Sequence, residues 1–346
     1  MNAFARCGLA LCLGVLCGVA AFAARMDERC GAAAAPPPAA ADAPTPADEP
    51  AEPAVFAFAT DVLGGKTTLS NGVEVTPSDW PTLIVAKIPR PNTPPERTPT
   101  CTGTLVGPNV ILFAAHCVDN PLGTRPRKAT LALPGGAEAE LRCEIHPAYL
   151  KREPKFFDAR GSEDFALCLV DYHGPLPPRL RTMQFDVVDT QRPAQAGTAV
   201  LMSGYGCSEL RIVDGALDYS HEPAILRIGN AVVDQPADLR SEQPTYLSIR
   251  SAQGLTPAVC PGDSGAPLFS HASVLAPDSG RRIIGVNSSV AVARRQDGAY
   301  DIISRIAATG NKTFHDWAKA WLNRNKGDKP VICGLNAEPG RRSCRA

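Results

Sequence analysis

Short apolar runs recur along the body of the chain, separated by turns rich in Pro, Gly and Asn. Leu83–Ile88, Asn109–Ala114, Thr130–Leu133, Phe165–Val170, Ala199–Ser203, Tyr246–Ile249 and Ile283–Val286 have the length of strands, not helices. Their number and spacing predict an all-β barrel or sandwich. One segment has helical spacing instead: Phe314, Trp317, Ala318, Trp321 and Leu322 recur on one face. Thr313 reads as its N-cap, with Asp316 three residues later. Residues 327–346 read as a polar C-terminal tail.

The N-terminal pattern differs. Residues 1–23 read as a signal peptide: Arg6 is the lone positive charge, an apolar stretch runs from Gly8 to Phe22, and Ala21-Phe-Ala23 suits a cleavage site. Residues 24–61 are Ala/Pro-rich with scattered Asp and Glu, and cannot bury enough apolar surface to order themselves. They read as a disordered linker or propeptide. No apolar run of membrane-spanning length follows, so no stable membrane span is expected after signal cleavage.

Composition narrows the function classes. The chain of 346 residues has a formal net charge of +0 and no basic block, which argues against nucleic acid as a partner. Of 12 cysteines, Cys7, Cys12 and Cys17 fall inside the signal. Nine remain, and export to an oxidising compartment, secreted or periplasmic, favours their pairing. Cys143 with Cys168, Cys207 with Cys260, and Cys333 with Cys344 are expected pairs; of the other three, Cys101, Cys117 and Cys30, the last is the odd one, either free, bridged to the tail or removed with a propeptide. No Cys-x-x-Cys pair or histidine cluster points to a metal, and no cofactor is expected.

Two motifs carry the chemistry. Ser264 sits in Cys260-Pro-Gly-Asp-Ser-Gly-Ala-Pro267, and His116 in Leu112-Phe-Ala-Ala-His-Cys117. A serine hydroxyl is a weak nucleophile that needs an adjacent base, and histidine titrates near working pH. The imidazole must in turn be oriented by a buried carboxylate. Asp164, opening the apolar run Asp-Phe-Ala-Leu-Cys-Leu-Val170, is the candidate; Asp158, Glu163 and Asp171 read as solvated surface acids. Gly262 lets its loop aim two N–H groups, its own and that of Ser264, at one developing oxyanion.

With these residues in the order His, Asp, Ser, the chain resembles the trypsin/chymotrypsin-like serine peptidases from about Val62 to residue 326. Cys101-Thr-Gly-Thr-Leu-Val106, Trp80-Pro81, Ser203-Gly-Tyr-Gly206, Ile284-Gly-Val-Asn-Ser-Ser289 and Thr313–Leu322 match its landmarks in order. The resemblance implies two six-stranded antiparallel β-barrels with a C-terminal α-helix, the cleft between the barrels, and a Cys101–Cys117 disulfide. It makes His116, Asp164 and Ser264 catalytic, and the Gly262 and Ser264 amides the oxyanion hole. Ser288 would bond the aspartate. Ala258 would floor the primary specificity pocket, with Val290 at its wall. A basic side chain would find no counter-charge at Ala258, so cleavage after Lys or Arg is not expected. Phe113 departs from the family's usual residue there and is expected to pack inward; Ala266 replaces a glycine. Asp263 would pair with an α-amino group freed by zymogen cleavage before Val62 or Leu69. A protein or peptide substrate and a protein inhibitor are the implied partners. A catalytically silent binding protein on the same fold is the rival reading. An esterase of the α/β-hydrolase type is disfavoured, because it would need the order Ser, Asp, His.

Overall fold

The computed structural model describes residues 69–87, 100–119, 130–132, 138–150, 162–172, 174–220, 225–238, 245–341 and 343–346. The expected signal and linker, Val62, Cys30 and Asp158 lie outside these residues.

Elements are numbered in chain order. The first lobe is a six-stranded antiparallel sheet of β2 (Leu83–Lys87), β3 (Thr100–Gly107), β4 (Val110–Phe113), β5 (Thr130–Ala132), β6 (Glu138–Ile145) and β7 (Ala166–Asp171). Its order is β2-β3-β4-β7-β6-β5, and the two edge strands β2 and β5 approach one another. β4 is buried at every position and β7 at all but its last. Such strands read as unbroken apolar runs because both faces are covered. Phe113, at the end of β4, packs inward with no exposed surface.

The second lobe is an eight-stranded sheet. Six strands form its body: β9 (Ala199–Gly204), β12 (Arg227–Val232), β13 (Leu247–Ala252), β14 (Pro267–Ser270), β15 (Arg282–Arg294) and β16 (Tyr300–Ala308). Two-residue strands β1 (Val73–Glu74) and β8 (Val187–Val188) add to it, β1 on β12 and β8 parallel to β15. The two-lobed all-β fold is the expected one, with these short strands as additions. A separate hairpin, β10 (Leu210–Val213) and β11 (Ala216–Tyr219), turns at Asp214-Gly215, both at positive φ. That dipeptide is the sequence signature of a tight hairpin turn.

Three helices are short: α1 (Ala115–Val118), α2 (Pro147–Leu150) and α3 (Pro178–Thr182). A longer one, α4 (Lys312–Arg324), buries Phe314, Trp317, Ala318, Trp321 and Leu322. Its N-cap is Asn311, not Thr313: the Asn311 side chain accepts the Phe314 N–H at 2.8 Å. Asparagine caps at least as well as threonine, and the Thr313 hydroxyl itself donates to Asn311. The Phe314 ring lies 4.6 Å from Phe165 and the Trp317 ring 5.1 Å from His146. α4 therefore backs the segment that carries Asp164. Burying a side chain the size of Phe314 stabilises by about 2–3 kcal/mol.

The tail is built into the fold. Cys333 bonds Cys344, and Ile332, Cys333, Ala337 and Cys344 are buried. The Cys333 N–H donates to Val106 of β3, while its carbonyl accepts from Val188 of β8, so the tail staples the two lobes. Arg345 and Arg281 both reach Asp186, in the connection between the lobes, at 2.9 and 2.7 Å. Arg281 and Asp186 have no exposed side-chain surface. The Arg281 guanidinium also lies 4.0 Å over the Trp80 ring.

Candidate active site

The site forms where the lobes meet. Ala114 leaves β4 extended and α1 begins at once, which sets His116 at the lobe edge with its side chain one quarter exposed. Asp164 lies just before β7 and is buried. One Asp164 oxygen accepts the His116 backbone N–H at 2.9 Å, and the other meets Nδ1 at 2.7 Å. A proton held on Nδ1 by the carboxylate leaves Nε2 as the ring's acceptor.

Ser288 joins them from the second lobe. The β15–β16 register shifts between Asn287 and Ser289, and such a bulge re-aims a side chain. The Ser288 hydroxyl donates to Asp164 Oδ2 at 2.5 Å and lies 3.3 Å from the Tyr246 hydroxyl. Burial by itself raises the Asp164 pKa. The charge of His116, the hydrogen bonds from its ring and from Ser288, and its backbone N–H outweigh that and bring it down to about 2.

Ser264 stands on the loop that leads into β14, partly exposed. Its carbonyl accepts the N–H of Thr102, on β3 of the opposite lobe, at 2.8 Å. Thr102 does more: its hydroxyl donates to the Gly262 carbonyl at 2.9 Å and accepts the Tyr205 N–H at 3.1 Å. Cys117, bonded to Cys101, places its sulfur 3.8 Å from His116 Nε2 and 3.6 Å from the Ser264 carbonyl oxygen. The acceptor nitrogen and the serine backbone thus share one neighbour.

Gly262 has φ +106°, and a Cβ there would fall 2.8 Å from the Gly206 Cα. Only glycine meets both demands at low cost. Among the described residues, none accepts the N–H of Gly262 or of Ser264. Between them Asp263 turns inward, with no exposed surface. Its oxygens accept the N–H groups of Gly206 at 2.7 Å and Cys260 at 2.8 Å. Burial pushes its pKa up to about 7, against the pull of those two bonds and of Arg227.

Ala258 is fully buried in an apolar cluster with Cys207, Leu210, Cys260 and Ile302, and Val290 packs against it. Cys207 bonds Cys260 and Cys143 bonds Cys168, the second pair directly across β6 and β7. Ala266 is fully buried. Glu163 departs from its reading as a solvated acid: it lies in the segment that packs under the lobe edge and is only 5% exposed. Thr102 and Tyr246 were not legible in the sequence. Each meets its site partner only through sheet packing, Thr102 across 160 residues.

Cys101, His116 and Cys117 are spaced closely enough to hold a metal. The two sulfurs are bonded to each other, however, and a disulfide offers no thiolate. Among the described residues, no helix is long and apolar enough to cross a membrane.

Two β lobes, with a buried acid and a histidine on one and a Gly-Asp-Ser-Gly loop on the other, are the fold class of the trypsin-like proteins. The family model for trypsin matches residues 69–317, and the chain belongs to the trypsin family. Kallikrein-11 of Homo sapiens is 22% identical over 306 residues, covering 85% of this chain and 95% of that protein. The cercarial protease of Schistosoma mansoni is 27% identical over 187 residues, 50% of this chain and 66% of that protein. Family membership supports a peptidase function with protein as the substrate class.

Proposed function

We propose that the chain is an exported serine endopeptidase that cuts peptide bonds through an acyl-enzyme. The observation that carries this reading is the double grip of buried Asp164 on His116. It fixes the imidazole's place and tautomer, and favours the imidazolium that forms during reaction. Ser264 Oγ attacks the scissile carbonyl as its proton passes to His116 Nε2. The Gly262 and Ser264 N–H groups receive the oxyanion, and their lack of other acceptors among the described residues suits that role. The leaving amine takes the proton from His116. Water then repeats the sequence and releases the acid.

The apolar surroundings of Ala258 and Val290 favour small or medium apolar side chains over Lys and Arg. The four disulfides among the described residues suit an oxidising compartment, outside the cell or in a periplasm. A fluorophosphonate probe tests the reading: it labels the wild-type chain at Ser264, and Ser264→Ala and His116→Ala chains stay unlabelled. A folded wild-type chain that, both intact and cut before Val62 or Leu69, resists the probe and cleaves no peptide in a random library is instead the silent binding protein.

A further inference from the structure

Asp263 touches no reacting atom, yet the loop bearing Gly262 and Ser264 hangs on its two backbone hydrogen bonds. A carboxylate without exposed surface needs positive charge nearby to stay ionised. β12 supplies one. Arg227 opens that strand and pairs directly with Gly204 of β9. Paired residues of antiparallel strands point to the same face, with Cβ positions about 5 Å apart. A Cβ on Gly204 would fall 2.1 Å from Asp263 Oδ1. Asp263 thus fills the side-chain space that Gly204 leaves empty, on the face of the strand pair that Arg227 shares.

The rest of the geometry agrees. Arg227 is only 3% exposed, and its Nη1 lies 3.4 Å from the Gly206 carbonyl oxygen. Gly206 therefore turns its carbonyl to the cation and its N–H to the anion. The positive charge of Arg227 pulls the Asp263 pKa down against burial, which still leaves it at about 7, so the pair is charged on both sides above that pH. The segment around Leu69 is already seated in the continuous chain. Leu69 is 1% exposed among Val200, Met202 and Leu268, and the Ser70 carbonyl accepts the Ala258 N–H at 3.2 Å.

We propose that Arg227 is the built-in counter-charge of Asp263 and a positioning residue for the oxyanion-hole loop, so that Ser264 is reactive in the chain still joined through Leu69. The inference rests on the peptidase reading above. It removes the need for an amine freed before Leu69 to set the loop.

The test uses the full chain, with mass spectrometry showing the Asp61–Val62 and Thr68–Leu69 bonds intact, and measures the rate of fluorophosphonate labelling at about pH 8.5, above the Asp263 pKa. Wild type is expected to label in this state. Arg227→Gln is expected to label roughly a hundredfold more slowly, the scale of losing one oxyanion donor. Arg227→Lys is expected to restore most of the rate, which loss of packing alone would not allow. In an Asp263→Asn background, Arg227→Gln is expected to cost nothing further, because the charge it serves is gone. If Arg227→Gln does not fold, the Arg227→Lys variant and the Asp263→Asn background with and without Arg227 decide. Three results would each overturn the inference: intact wild type labels only after a cut before Leu69, Arg227→Gln labels at the wild-type rate, or the cost of Arg227→Gln persists in the Asp263→Asn background. A chain that labels neither intact nor cut overturns the peptidase reading itself.

Discussion

Asp164 holds His116 at two points, the backbone N–H at 2.9 Å and the ring Nδ1 at 2.7 Å. One carboxylate therefore fixes both the start of α1 and the orientation of the imidazole. Ser288 binds the same carboxylate from the other lobe. Packing of the lobes is thereby tied to the state of the histidine.

Asp164→Asn keeps the shape and removes the charge. The amide can present an N–H to the ring and favour the wrong tautomer. We expect kcat to fall by about 10⁴, a size known for triads of this kind, with KM little changed. Steady-state kinetics on a chromogenic peptide check this; a loss under tenfold would contradict the assigned role. Ser288→Ala removes one hydrogen bond and should cost about 1 kcal/mol in stability.

Acid should weaken the fold through Asp164. Its folded pKa of about 2 lies below the ordinary value of 3.8. A depressed acid contributes stability that is present above 3.8 and is lost as pH falls toward 2. The contribution near neutrality is about 2 kcal/mol. Urea unfolding at pH 6 and pH 2.5 should show the gap between wild type and Asp164→Asn shrinking at the lower pH.

Asp263 should act with the opposite sign. Its folded pKa of about 7 lies above 3.8, so between these values the folded protein keeps a proton that the unfolded chain has released. Stability then falls as pH rises through that window and levels off above it. Melting temperature against pH should carry this decline in wild type. A decline of the same size in Asp263→Asn would count against it.

Gly204→Ala should unseat Asp263. The added methyl would lie 2.1 Å from a carboxylate oxygen and 2.7 Å from the carboxyl carbon. We expect loss of fluorophosphonate labelling with the disulfides and most of the β circular dichroism retained. Labelling at the wild-type rate would show that the loop does not need the carboxylate there.

Ala258→Asp should place an unpaired acid in the cluster of Leu210 and Ile302. Stability should drop by roughly 3 kcal/mol. Benzamidine, a small aromatic cation, should raise the melting temperature of the variant and leave wild type unmoved. Equal shifts in both would mean that the pocket already holds a negative group.

The strand pattern was legible because short apolar runs between turn residues are a local signal. The helix face was legible for the same reason, though its cap was not: Asn311 and Thr313 are both good caps, and only geometry separates them. β6, β12, β14 and β16 escaped because their runs mix polar and apolar residues whose covering arrives from distant strands. The triad candidates could be named because their neighbours in sequence form motifs. Thr102, Tyr246 and Arg227 carry no such local mark; each meets its partner through sheet register. The tail looked polar by composition, yet Ile332, Ala337 and its two cysteines are buried by the fold.

The clamp on Asp186 bears on how the protein is made. A ribosome delivers that acid well before either of its arginines, and Arg345 comes 159 residues behind it. Until both have emerged the clamp is incomplete, and the crossover between lobes stays loose. A nascent chain can thus assemble its first sheet early. The hinge should set only after translation has passed Arg345, so the join between the lobes is completed later than the first sheet itself.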